Sequence, residues 1–243
     1  VPLRQLLPQL RRLGGDTAPD ELLLDGRIGS VSFARDTFLI EKRVGDSLSS
    51  AKAPRAIRVI GTLGLRFFRD RVLVLDFPNH RLAIVERGES MPEELPSSIT
   101  YLPVHYEHGY VFVPLRIAGR QVNDFFFDTG ASSFALVTTP GTWRLFTGRT
   151  GREADNVRIS VSSWGRQVED IGAPVAGTVE VGPMRVVRPL VFHQREDASA
   201  PDFFSRNPSV GGGLIGNAMF ADSSIVVIDL PHRRFGIAVA PPR

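Results

Sequence analysis

The chain contains no cysteine. That removes disulfides, thiolate nucleophiles and zinc–thiolate centres from consideration. It holds only two lysines, Lys42 and Lys52, so nearly all of its positive charge is arginine. The formal net charge is +3, and the high pKa of arginine is what lifts the sequence pI to about 9.8. No block of like charge occurs, and arginines alternate with apolar residues as they do on solvated strand faces. Nucleic-acid binding needs a basic patch with interleaved aromatics, so no nucleic-acid partner is expected. No apolar run approaches the roughly 18 to 20 residues needed to cross a bilayer, so no membrane span is expected. The stretch from Val1 shows neither a charged n-region nor an apolar h-region, so no signal peptide is visible in it. A G-x-S-x-G elbow is missing too, which leaves a serine hydrolase without an anchor.

What is present points to strands. At 243 residues and 42% hydrophobic, the chain can bury an adequate core. Its 23 glycines and 18 prolines predict many turns between short runs rich in β-branched and aromatic residues. Such runs include Ile57–Ile60, Val111–Val113 and Val157–Val161. Helical spacing is confined to Leu3, Leu6, Leu7, Leu10 and Leu13, and to Thr138–Leu145. An all-β fold with few short helices is expected.

Several local patterns carry little chemistry. Gly211 to Gly216 satisfies G-x-G-x-x-G, but it follows Asn207-Pro208-Ser209-Val210, hardly the first strand of a βαβ unit. His105 and His108 form H-x-x-H, yet three-residue spacing on a strand sends side chains to opposite faces, and no metal site is expected. Asp76 and Asp229 each precede an x-Pro turn, which predicts a hairpin-turn role. No cofactor is implied.

The most informative stretch is Asp128-Thr129-Gly130, which ends the apolar run Phe125-Phe126-Phe127 and precedes Ala131-Ser132-Ser133. An apolar strand here delivers a carboxylate to a cleft, and the glycine lets backbone approach a substrate. Downstream by 88 residues, Leu214-Ile215-Gly216-Asn217 supplies two apolar residues and a glycine, followed by a predicted hairpin over Ile225–Ala238. Together these segments resemble the catalytic loop and supporting crossing of retropepsin-like and pepsin-like aspartic peptidases.

The resemblance implies roles. Asp128 is the carboxylate that shares a proton and orients the attacking water; Thr129 and Gly130 hold the loop; Leu214, Ile215, Gly216 and Asn217 support it from behind. Gly130, Ala131 and Ser132 border the substrate, and a flap hairpin around Ser162–Arg166 brings Trp164 and Gly165 over it. The partner is a polypeptide substrate in extended conformation, the lobes are of β-barrel type, and a periplasmic or secreted location is expected.

The chain also repeats itself. Ile28-Gly29-Ser30-Val31 aligns with Val181-Gly182-Pro183-Met184 at an offset of 153, and Val72–Pro78 aligns with Ile225–Pro231, with Arg81 on Arg234. Gly61–Phe68 matches Gly213–Phe220 after a one-residue slip. So long a period is no solenoid. It predicts two retropepsin-like lobes related by internal duplication and a pseudo-twofold, over residues 1–97 and 98–243. The same offset carries Asp128 ahead of Val1. Asp16-Thr17-Ala18 and Asp36-Thr37-Phe38 lack the glycine and the position, and neither is expected to be catalytic. The second aspartate is expected in an upstream fragment of the same protein; a homodimer is the other source. A pair of lobes with one aspartate would instead be a peptide-binding pseudoprotease or regulatory module.

Overall fold

In a computed structural model, the structure describes residues 21–28, 31–39, 63–93, 95, 98–163, 166–195, 203–207, 210–221 and 224–239. The expected helix near Val1, the run Ile57–Ile60 and the Asp16 tripeptide lie outside these residues. The chain divides into two compact units, residues 1–62 with 164–166, and residues 63–163 with 167–243.

In the first unit, β1 (Glu21–Ile28) and β2 (Val31–Leu39) form an antiparallel hairpin, with Ile28 opposite Val31. Asp36 lies within β2, opposite Leu24.

The second unit contains β3 (Val72–Asp76), β4 (Arg81–Val85), β5 (Thr100–Pro103), β6 (His105–Glu107), β7 (Tyr110–Phe112), β8 (Leu115–Ile117), β9 (Arg120–Val122), β10 (Phe125–Asp128) and β11 (Leu136–Thr138). It continues with β12 (Val157–Ser163), β13 (Arg166–Pro174), β14 (Thr178–Val181), β15 (Met184–Val187), β16 (Leu190–Gln194), β17 (Gly213–Gly216), β18 (Ser224–Asp229) and β19 (Arg234–Val239). Helices are short: α1 (Pro140–Thr147) and α2 (Phe203–Arg206), with 3-10 turns at Leu65–Phe68 and Asn217–Met219. The fold is all-β, as the strand-forming runs predict. Three sheets run in the orders β12-β13-β16-β11-β17-β10-β7-β6, β15-β14-β8-β9 and β4-β3-β18-β19-β5. All three are open, so the expected barrel is not seen among the described residues.

The turns explain the strand ends. Val181 faces Met184 across a two-residue turn with Gly182 at φ 55°, which glycine adopts without steric cost. Asp76 Oδ1 accepts from the Asn79 amide at 3.2 Å, and Asp229 Oδ1 accepts from the His232 amide at 3.3 Å. Both turns then pass through left-handed residues, His80 at φ 53° and Arg233 at φ 50°. These carboxylates therefore close turns, as their sequence context predicts. Helix α1 is capped at both ends: Thr139 accepts from the Thr142 amide, Pro140 opens the first turn, and left-handed Gly148 donates to Arg144 O.

Packing follows strand alternation. One lateral row of the eight-stranded sheet reads Phe112, Phe126, Leu214, Val137, Phe192, Gly172 across β7, β10, β17, β11, β16 and β13. Phe112, Phe126 and Leu214 form a core cluster with Phe204 and Val210. Each such ring, when fully buried, contributes roughly 2 to 3 kcal/mol. On the opposite face of β10, Phe127 meets the rings of Phe220 and Phe235 at 5.5 and 5.3 Å.

Candidate active site

Strand β10 is Phe-Phe-Phe-Asp with all three rings buried. The apolar residues anchor the strand, and the carboxylate emerges at its end, half-buried. Strand β17 runs parallel beside it, with Phe126 opposite Leu214, Phe127 opposite Ile215 and Asp128 opposite Gly216. On its other side β17 is antiparallel to β11, so the Leu214–Gly216 segment passes between the strands that lead into and out of the Asp128 loop.

Backbone hydrogen bonds tie loop to crossing. Ala131 N donates to Asp128 O at 3.2 Å, Gly216 N to Ala135 O at 3.0 Å, Asn217 N to Ala131 O at 3.2 Å and Ala218 N to Phe134 O at 3.1 Å. The Asn217 side-chain amide donates to Thr129 O at 2.9 Å, while its Oδ1 is buried without a partner among the described residues. Gly216 allows this crossing to be so tight. A Cβ there would sit 2.3 Å from the carbonyl oxygens of both Ala131 and Phe134, a separation no side chain tolerates.

Gly130 N donates to Asp128 Oδ1 at 2.8 Å. Burial nonetheless raises the Asp128 pKa above its ordinary 3.8, with the Gly130 amide pulling the other way. No charged neighbour figures among the influences on it. An opposing carboxylate is thus not among the described residues that act on Asp128.

The structure brings Asp128, Thr129, Gly130, Ala131, Leu214, Ile215, Gly216 and Asn217 together. Thr129, Gly130 and Ser132 are exposed, and Leu214 and Ile215 are buried. Strands β12 and β13 form the expected hairpin, but Trp164 and Gly165 lie outside the described residues. The glycine-rich Gly213–Gly216 is itself a strand, which removes any phosphate-cradling reading.

Sequence reasoning missed three features. Asp124, at the far end of β10, accepts from Gly212 N at 2.8 Å and fixes the entry to β17; an Asp before an apolar strand gives no distinctive signal. Phe126 and Asp128 point to one face by alternation, and there Tyr110 and Phe203 approach the Phe126 ring at 4.8 and 6.0 Å. The third is at His105 and His108. His108 lies in a tight turn at φ 51°, not on a strand, so both rings converge on Glu107, at 2.9 and 3.4 Å. The opposite-face expectation fails because the turn reverses the chain. No metal-holding cluster occurs among the described residues. An open cavity of about 470 Å³, lined by Arg120, Asp124, Thr142, Phe146 and Gly212, lies at the opposite end of β10 and does not include Asp128.

No family model and no curated protein matches the chain. Among solved structures it is similar to the crystal structure of a retropepsin-like aspartic protease from Rickettsia conorii, at 11% identity and a TM-score of 0.38. That match covers 62% of this chain and 100% of the other.

Proposed function

We propose that the protein is an aspartic endopeptidase, with Asp128 as one of two catalytic carboxylates. The observation that carries this reading is the Asp128 loop: a carboxylate at the end of a buried strand, its proton affinity raised by burial, one oxygen held by the Gly130 amide, and Gly216 crossing close behind. A carboxylate so placed is suited to proton transfer near an acidic working pH.

In the proposed reaction, an ionised aspartate takes a proton from water as the water oxygen attacks the peptide carbonyl carbon. A second, protonated aspartic acid gives its proton to the carbonyl oxygen. The tetrahedral diol then collapses: the C–N bond breaks, and a proton passes to the departing amine. No covalent enzyme intermediate forms. The second acid would be supplied by an upstream fragment of the same protein or by a second copy of the chain.

The recurring local geometry supports two duplicated lobes. At an offset of 153, the two-residue turn Ile28/Val31 has its counterpart at Val181/Met184, and left-handed His80 has its counterpart in Arg233. Gly64 and Gly216 each precede a 3-10 turn. One observation favours a second reading, a peptide-binding pseudoprotease: no charged group among the described residues acts on Asp128.

The test is cleavage of a mixed peptide library at pH 3 to 7, read by mass spectrometry, for the full-length protein and its Asp128→Asn variant. Cleavage abolished by the variant, with thermal unfolding retained, supports the enzyme. Cleavage that survives it removes Asp128 from the mechanism, and binding without cleavage by either form supports the pseudoprotease.

A further inference from the structure

The cavity at the far end of β10 has an open strand edge as one wall. Its strand β9 ends the four-stranded sheet among the described residues. Ile117 lies opposite Arg120, Arg116 opposite Gln121 and Leu115 opposite Val122. The far side of β8 decides which of these pairs is hydrogen-bonded. Ala118 N donates to Thr178 O at 2.8 Å, and bonded pairs alternate along an antiparallel ladder, so Arg116 turns its backbone groups toward Glu180 on β14. Ile117 and Leu115 turn theirs toward β9. Gln121, opposite Arg116, therefore points its N–H and C=O out of the sheet, and it lines the cavity.

The surroundings of that edge are apolar with a charge at each end. Leu145 and Phe146 reach the cavity from α1, where Phe146 is buried but Leu145 stays 55% exposed. Val122 shares its side of the hairpin with buried Leu115, as directly opposed residues do. Arg120 shares that side with Ile117, is exposed, and pairs with no carboxylate among the described residues. Beyond Val122 stands Asp124, its Oδ2 taken by Gly212 N. A backbone N–H and C=O displayed side by side match one peptide unit of an extended chain, and alternate side chains of that chain turn toward the strand's inner face.

We propose that this cavity is a polypeptide-binding site separate from Asp128, taking one extended segment by antiparallel strand addition to β9. One residue of the segment exchanges both backbone hydrogen bonds with Gln121 and projects its side chain outward. Its two neighbours turn inward. In an antiparallel pair the preceding residue meets Val122 and Leu145, and the following residue meets Arg120. The recognised segment therefore reads apolar, any residue, acidic. Charge fixes this direction: Arg120 attracts the acid, and Asp124 repels it from the Val122 end. Docking here does not depend on the chemistry at Asp128, which lies at the other end of β10.

The test uses the Asp128→Asn protein, so that docking is read without cleavage, and a blocked fluorescent peptide, Gly-Ser-Leu-Ser-Glu-Ser-Gly, followed by anisotropy and amide hydrogen exchange. Saturable binding is expected, with exchange at the Gln121 amide slowed. Arg120→Glu should weaken the peptide about tenfold by setting like charges together. The same variant should bind the peptide with lysine in place of glutamate better than its parent does, a gain that misfolding cannot produce. N-methylation of the serine between leucine and glutamate removes the proton offered to the Gln121 carbonyl and should weaken binding about tenfold. Leu145→Asp should also weaken it, while Val187→Asp, at an exposed apolar residue of β15, leaves it unchanged. Absence of saturable binding, indifference to Arg120→Glu or to N-methylation, or equal binding of the reversed order Glu-Ser-Leu overturns the proposal. Protection of the Gln121 amide that rises with protein concentration alone, alongside a sedimenting dimer, assigns the edge to a second copy and also overturns it. Failure of docking leaves the peptidase reading standing, and failure of the unmodified protein to hydrolyse peptides leaves the docking standing.

Discussion

Val74 and Val227, which the repeat makes equivalent, lie directly opposite one another in the antiparallel pair β3–β18. The register is symmetric about them: Val72 faces Asp229 and Asp76 faces Ile225, so each strand meets its own repeat reversed. Both valines are buried in one cluster with Val85, Ile225 and Ala238. Two strands that pair in a register symmetric about one residue pair should share the cost of damage at that axis. Val74→Ala and Val227→Ala are each expected to cost about 1 to 3 kcal/mol in urea unfolding. The double variant should fall short of additivity by about 0.5 kcal/mol or more, because the residues touch. Strict additivity would argue that the two strands do not share one core.

Gly216→Ala tests the crossing behind Asp128. Its methyl would overlap two backbone carbonyls at 2.3 Å, and neither can withdraw without breaking the bonds from Asn217 N and Ala218 N. A loss of about 3 kcal/mol or more is expected, in the range of severe overpacking. Gly64→Ala, at the position the offset aligns, where no described atom lies within 4 Å of an added methyl, should cost less than about 1 kcal/mol. Equal effects would mean that the tight crossing is not what selects glycine at position 216.

Asp170 supplies a pH dependence independent of the active site. It sits buried on β13 opposite Gln194, and burial alone pushes its pKa from 3.8 to about 6. A carboxyl whose folded pKa is raised holds its proton more firmly in the native state. Its contribution to stability is therefore full below about pH 3.8 and is lost as pH rises through about 6. Asp170→Asn should stabilise the protein at pH 8 by roughly 1 to 2 kcal/mol, allowing for solvent screening, and change little at pH 3. Thermal unfolding across that range decides it; a variant less stable at pH 8 would reveal a partner for the ionised carboxylate.

Much of this was legible because backbone chemistry forces it. Asp128 after three phenylalanines, and Gly216 after two aliphatics, are residue types chosen by local geometry, and the resemblance they carry is what led to the expectation of a crossing behind the loop; that β10 and β17 run parallel is a finding of the structure. The Asp76 and Asp229 turns were legible for the same reason, since an aspartate capping its own turn needs only neighbours in sequence. Tertiary surroundings were not. Nothing adjacent to Asp170 announces that β16 will bury it, and the meeting of His105, His108 and Glu107 depends on a left-handed turn that histidine adopts only in context. The open sheets differ from the expected barrel because closure depends on which edges find partners, which strand patterns do not encode.

Asp128 itself offers the sharpest distinction between one carboxylate and two. Its pKa is raised by burial and lowered by the Gly130 amide, and no charge among the described residues acts on it. It should therefore titrate in a single step above 3.8, followed by carbon-13 NMR of its carboxyl and absent in Asp128→Asn. By the same sign as Asp170, its contribution to stability is present at low pH and fades as pH rises through that step, so Asp128→Asn should gain stability above it. Pairing with a second aspartate changes the form of the curve, because close like charges resist double ionisation and the protons leave in two separated steps belonging to the pair. Two steps in the full-length protein and one in the 243-residue chain would locate the second acid in the added polypeptide. Two steps appearing in the short chain only at high concentration would instead place it in a second copy, and one step throughout would leave a lone carboxylate that binds polypeptide without cutting it.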